Sequence, residues 1–104
     1  MFTRNVTMKL KANSAPEFKS LIENEILPLL RKQPGFRDEI TFVAPERSEA
    51  VAISFWETKE NCENYNTTGY PEVLKIVANV VEGTPKVETF VLSNSTLHKL
   101  AAKA

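Results

Sequence analysis

The chain has 104 residues, enough for one hydrophobic core and too few for two. Hydrophobic residues make up 42% and charged residues 25%, the balance of an ordinary globular chain. Lys plus Arg total 13 and Asp plus Glu total 13, so the net charge is zero, which argues against a general nucleic-acid binder and the basic surface it needs.

One cysteine, Cys62, leaves no intrachain disulfide and no thiolate metal cluster, and the only imidazole is His98. No stretch reaches the ~18 apolar residues of a membrane span. The opening Met1-Phe2-Thr3-Arg4-Asn5 carries no signal-peptide apolar region, so a cytoplasmic protein is expected. Asn-X-Thr sequons at Asn5, Asn66 and Asn94 matter only in a secretory compartment.

Residues 2–10 alternate: Phe2, Val6, Met8 and Leu10 share one face with Arg4, and Thr3, Asn5, Thr7 and Lys9 share the other. Period two with β-branched residues predicts a strand. Ser14-Ala15-Pro16-Glu17 predicts a helix start, with Ser14 as cap and Glu17 completing a capping box. Phe18, Leu21, Ile22, Ile26, Leu29 and Leu30 then form one apolar stripe. Pro28 inside it predicts a kink, or an early end and a short second piece. Pro34-Gly35 stops the helix, and Phe36 begins an extended run through Val43.

After a turn at Pro45–Glu49, a second run spans Val51–Glu57. There Val51, Ile53 and Phe55 face one way and Ala52, Ser54 and Trp56 the other. Neither face is strongly polar, so both sides of the sheet are expected to be covered. Thr58 predicts the cap of a helix to about Asn66, broken at Thr67-Thr68-Gly69. A second helical stretch from Pro71 uses Val73, Leu74, Ile76, Val77, Val80 and Val81, and Gly83 ends it. Residues 86–92 alternate as a fourth strand, and Asn94 or Ser95 starts a short helical tail through Leu100 within a tail of residues 94–104.

The order is β-α-β-β-α-β, an α+β ferredoxin-like sandwich filling 1–104 as one domain. A homodimer packed sheet to sheet is the simplest cover for its second apolar face.

Leu27-Pro-Leu-Leu-Arg-Lys-Gln-Pro-Gly-Phe36, the strand ending Phe55-Trp56-Glu57, and the helix Tyr70–Val81 after its Thr-Gly break resemble the antibiotic biosynthesis monooxygenase family of dimeric α+β barrels. The resemblance spans nearly the whole chain. It implies a homodimer with a substrate pocket between sheet and helices in each subunit. It also implies oxygenation of quinols, polyketide phenols or haem, in many members without bound metal or flavin. The chain departs from that pattern in places. Tyr70 stands where quinol-oxidising relatives carry a His. Asn5 resembles the strand-one Asn of haem-degrading relatives, but Tyr65 stands near their Trp and Ala78 near their iron ligand. These departures argue against haem degradation.

Asn5 is disfavoured mid-strand and is read either as a pocket amide or as an edge polar residue. Trp56 is read as a substrate-stacking wall, or as core or interface. Tyr65 and Tyr70 flank the helix break, where their hydroxyls serve a phenolate or pack a loop. Arg4, on the apolar side of its strand, either meets an acidic ligand group, forms a dimer ion pair, or reaches water. Cys62 reads as a packed residue and His98 as a surface residue of the tail. The candidate site is therefore Asn5, Tyr65 and Tyr70 as catalytic groups with Trp56 binding substrate, and no metal or other cofactor is expected. The expected activity is cofactor-independent monooxygenation of a small aromatic or quinol-type substrate. The alternatives are a dimeric barrel that only binds a hydrophobic small molecule, and a structural protein whose barrel its own side chains fill.

Overall fold

The structure is a computed structural model that describes residues 1–97. Strand β1 (Phe2–Leu10) leads into helix α1 (Ala15–Leu21), a π-helical turn (Ile22–Ile26) and helix α2 (Leu27–Arg31). Strands β2 (Phe36–Ala44) and β3 (Glu49–Trp56) form a hairpin around a 3-10 turn, Pro45–Arg47. Helices α3 (Lys59–Thr68) and α4 (Tyr70–Val77) precede strand β4 (Val81–Val91). The sheet is antiparallel in the order β2-β3-β1-β4, the expected ferredoxin-like arrangement. Both helical arms lie on one face of it.

Pro28 acts one turn earlier than its position. A proline in a helix clashes with the carbonyl four residues back. Here the chain widens before Pro28, and the Leu27 N–H bonds to the Ile22 carbonyl, five residues back. The wider turn also keeps the stripe in register. Four residues of α-helix overshoot a full turn by about 40°, yet Phe18, Ile22, Ile26 and Leu30 are all buried. The turn takes up the overshoot.

Three expectations for the chain's ends and caps need correction. Ser14 makes no side-chain cap bond, because its backbone is already helical (φ −97°, ψ −2°). Its carbonyl accepts from the Phe18 N–H at 2.8 Å instead. Gly83 does not end a helix: α4 stops at Val77, and Val80 and Val81 already lead into β4. Gly83 has φ +67° and lies in a bulge, where Lys9 pairs with Glu82 but Thr7 pairs with Lys86. Pro85, with no N–H to give the ladder, falls in the same bulge. Residues 92–96 carry no helix, and the rest of the expected helical tail, His98 included, lies outside the described residues. The Thr58 cap is as expected: its hydroxyl accepts from the Asn61 N–H at 3.1 Å.

Gly35 is needed at the helix stop. Its φ is +78°, and a Cβ there would lie 2.2 Å from the Asn61 side chain. Immediately after it, one extra residue, Arg37, bulges out of β2 between the pairs Phe36–Trp56 and Asp38–Phe55. A one-residue bulge inverts strand parity. From there on Ile40 and Phe42 turn away from the helices, and Glu39 and Thr41 turn towards them.

Candidate functional site

The helix-facing side of the sheet carries a polar row in an otherwise apolar layer. Arg4 on β1 lies opposite Ser54 on β3, and Ser54 lies opposite Glu39 on β2. Arg4 is 2% exposed, so it does not reach water. Its Nη2 donates to Asn66 Oδ1 at 2.6 Å, and its guanidinium lies 3.9 Å over the Tyr70 ring and 5.4 Å from the centre of the Tyr65 ring. Among the described residues it forms no ion pair. A buried cation is expensive unless an anion neutralises it. An amide and two π faces are weak substitutes for a carboxylate.

The aromatic side chains hold this cation in place. Trp56 is fully buried, and its indole N–H donates to Ser54 Oγ at 2.9 Å. It stacks on Tyr65 at 4.8 Å and meets Phe36 edge to face at 5.6 Å. Tyr65 in turn lies 6.2 Å from Tyr70. Gly69, in the break between α3 and α4, sets Tyr65: a Cβ there would sit 2.7 Å from its ring. Burial pushes both phenols up in pKa, and the Arg4 charge pulls them part of the way back. They are hydrogen-bond donors near neutral pH, not bases.

Arg4, Tyr65 and Tyr70 line a cavity between sheet and helices, with Glu39 at one side. Phe18, Ile22 and Ile26 supply its helical roof. Its volume is about 40 Å³, room for roughly three waters and well short of the ~150 Å³ that holds benzene. A ring-shaped ligand therefore has to displace side chains. Met8 on the floor is unbranched and adaptable, and Leu74 at the rim is partly exposed.

Glu39 is the cavity's carboxylate. Burial raises its pKa, and the Thr41 hydroxyl, which donates to Glu39 Oε2, opposes that rise. Cys62 is buried, and desolvation pushes its thiol up, so it is a packed thiol and not a nucleophile. Among the described residues no group of three or more His, Cys, Asp or Glu could hold a metal ion. No helix among them is long and apolar enough to cross a membrane.

The four candidate residues divide. Tyr65 and Tyr70 stand together on the cavity wall. Trp56 stands behind Tyr65 and is not on the wall. Asn5 is on the other side of the sheet, opposite Ile53 and Glu88. Its side-chain oxygen is buried and has no hydrogen-bond partner. Arg4 was visible in the sequence as a charge on an apolar stripe. Glu39 and Asn66 were not, because the β2 bulge decides the first and the packing of α3 the second.

No family profile matches the sequence. No curated protein matches it either. Solved structures do match. ActVA-Orf6 of Streptomyces coelicolor, a monooxygenase in complex with nanaomycin D, superposes with a TM-score of 0.76 at 16% identity, covering 92% of this chain and 90% of that one. SnoaB of Streptomyces nogalater, a cofactor-independent oxygenase, gives 0.74 at 15% identity, covering 93% and 97%. A Nitrosomonas europaea protein of unknown function gives 0.75 at 14% identity, covering 92% of each. The chain has the fold of the antibiotic biosynthesis monooxygenases.

Proposed function

We propose that this protein is a cofactor-independent monooxygenase acting on a small phenol or quinol, bound as its anion in the cavity beside Arg4. One observation carries the reading: a guanidinium is held in an apolar cavity with no carboxylate partner among the described residues. An anionic ligand oxygen supplies the missing partner. The same pairing serves the chemistry. A phenolate or enolate gives an electron to oxygen far more readily than its neutral acid does, and Arg4 holds it ionised. Overall, the phenol is oxidised to a quinone: one ring carbon takes an oxygen atom of O₂, and the hydrogens lost from its C–H and from the substrate O–H leave with the other oxygen atom as water. The Tyr65 and Tyr70 hydroxyls donate to the developing oxyanion. The oxygenases of the same fold support this reading.

The open face of the sheet supports the homodimer. Phe42 and Phe90 are 59% and 51% exposed there, beside Ile40 and Ile53. The unpartnered Asn5 oxygen lies on the same face. A second copy packed on this face buries the rings. On this reading Asn5 serves assembly and Trp56 supports Tyr65.

The runner-up is a barrel that binds a hydrophobic molecule without oxidising it, favoured by the mainly apolar lining of the cavity. Oxygen uptake against a panel of quinols and phenols, without added metal, separates the two. The proposal expects uptake with at least one substrate and one labelled atom of O₂ in the product. Binding with no uptake across the panel selects the runner-up.

A further inference from the structure

We infer that Glu39 is the base that takes the proton of the substrate hydroxyl and passes it to the solvent outside the barrel. This rests on the anion-binding reading of the Arg4 cavity and deepens it. An anion beside Arg4 has to come from a neutral phenol, since a neutral, apolar molecule crosses an apolar cleft more readily than its salt. Its proton therefore has to be accepted inside.

The placement of Glu39 fits that task. Arg4 and Glu39 bracket Ser54 in one cross-strand row. At the usual strand spacing their Cα atoms are about 10 Å apart, enough to flank one aromatic ring. Among the described residues that line the cavity, Glu39 is the only carboxylate, and no histidine lines it. The other ionisable groups on the wall are a cation and two tyrosines whose pKa values are raised. Glu39 also reaches outward. It lines the groove between α1 and β2, with Ile22 shared by groove and cavity, and a second groove beside α2. It is therefore the one side chain common to the interior and both grooves.

Its location is also costly, since it half-buries a carboxylate. After the Arg37 bulge, β2 turns Ile40 and Phe42 outward and sends an acid towards the helices. The Thr41 hydroxyl then holds the acid in place.

The step balances simply. The substrate O–H breaks, its proton forms a bond to a Glu39 carboxylate oxygen, and the electron pair stays on the substrate oxygen facing Arg4. Water in the groove later removes the proton. The charged and titratable groups that bear on Glu39 are Arg4, Tyr65 and Tyr70 inside. Lys19, Glu23 and Arg31 from the helical arm, with Arg37 and Asp38 on its own strand, line the grooves.

The probe is 4-nitrophenol, whose anion is yellow and whose neutral form is not. It is titrated into the full chain across a pH range where the free probe is neutral. The wild type is expected to bind it as the yellow anion with an affinity that is flat in pH, because the proton stays on Glu39. Below the Glu39 pKa that affinity should fall. In Glu39→Gln the proton has to leave, so the affinity for the anion should rise tenfold per pH unit. Thr41→Val, which removes a bond that favours the charged carboxylate, should move the acid limb of the wild-type profile to higher pH. Yellow binding by the wild type with the same tenfold-per-unit slope as Glu39→Gln would overturn the role of Glu39 and leave the Arg4 reading standing. Failure to bind the anion at all, or anion binding unchanged in Arg4→Met, would overturn the Arg4 reading itself.

Discussion

The two faces of the sheet are built from neighbouring residues and differ in what surrounds them. Facing the helices, Arg4, Ser54 and Glu39 form a polar row walled by Tyr65, Tyr70 and apolar side chains. One residue away along the same strands, Asn5, Ile53 and Ile40 form the corresponding row of the opposite face. Arg4 is buried and Glu39 half-buried on the helix side, while Phe42 and Phe90 stand exposed on the other. A folded protein tolerates buried charge where function needs it and exposed rings where another surface covers them. On the proposed function, chemistry belongs to one parity of the strands and assembly to the other.

The largest expected effect breaks the chemical face. Arg4→Met keeps the length and packing of the side chain and removes the charge. By analogy with losing one oxyanion donor, it should slow turnover about 100- to 1,000-fold. Replacing a buried cation by an apolar residue is often neutral or stabilising, so the melting temperature should hold or rise. Steady-state kinetics and a thermal melt check both parts; a variant that loses activity only because it unfolds would break the contrast.

The assembly face is sharpened by Ile53→Lys, which sets a charge in the middle of the apolar row. Sedimentation should then show a single species of 11.7 kDa, and the unmodified protein about twice that mass. An unmodified protein that sediments as the monomer at micromolar concentration would remove the dimer from the account.

A smaller effect is expected at Tyr70. Tyr70→Phe keeps the ring under the Arg4 guanidinium and removes the hydroxyl. A lost hydrogen bond to a charged oxygen costs about 1.5–3 kcal/mol, or roughly 10- to 100-fold in rate. The melting temperature should barely change. Gly69→Ala should act on the same wall indirectly. It forces the Tyr65 ring aside at a cost of about 1–3 kcal/mol, measurable by denaturant unfolding.

The smallest effect is a pH signature. Burial raises the Glu39 pKa, so the folded state binds that proton more tightly than the unfolded chain does. Folding is therefore favoured below the unfolded carboxylate value, and that contribution is lost as pH rises through the folded pKa. Glu39→Gln should raise the melting temperature at neutral pH and lose the advantage in acid. A drop at neutral pH would mean that Glu39 is a structural residue.

Much of the fold was legible because it rests on local signals. Alternation marked β1 and β3, the Ser14-to-Glu17 run marked the first helix, and Pro34-Gly35 marked its end. Arg4 was legible as a misplaced charge, and the Tyr65–Tyr70 pair as phenols beside a helix break. The rest depended on geometry that no local pattern carries. Pro28 was expected to kink the helix or to end it early with a short second piece; α2 is that short piece, and the π-turn at Ile22–Ile26 before it was not foreseen. The bulge at Arg37 inverted β2 and placed Glu39 at the cavity, although Ile40 and Phe42 had the stronger hydrophobic claim to the helix side. Asn5 was read as a pocket amide or an edge polar residue, and it lies on the face away from the helices, since a single residue step moves a side chain through the sheet.

Arg4 and Asn5 are adjacent in sequence and separated by the sheet, so one pair of variants tests the central claim. Oxygen uptake by Arg4→Met and by Asn5→Ala should be measured side by side, on whichever quinol or phenol the wild type consumes. The account predicts that Arg4→Met loses about two orders of magnitude while Asn5→Ala stays near wild type. Full activity in Arg4→Met with loss in Asn5→Ala would contradict it and move the chemistry to the open face of the sheet.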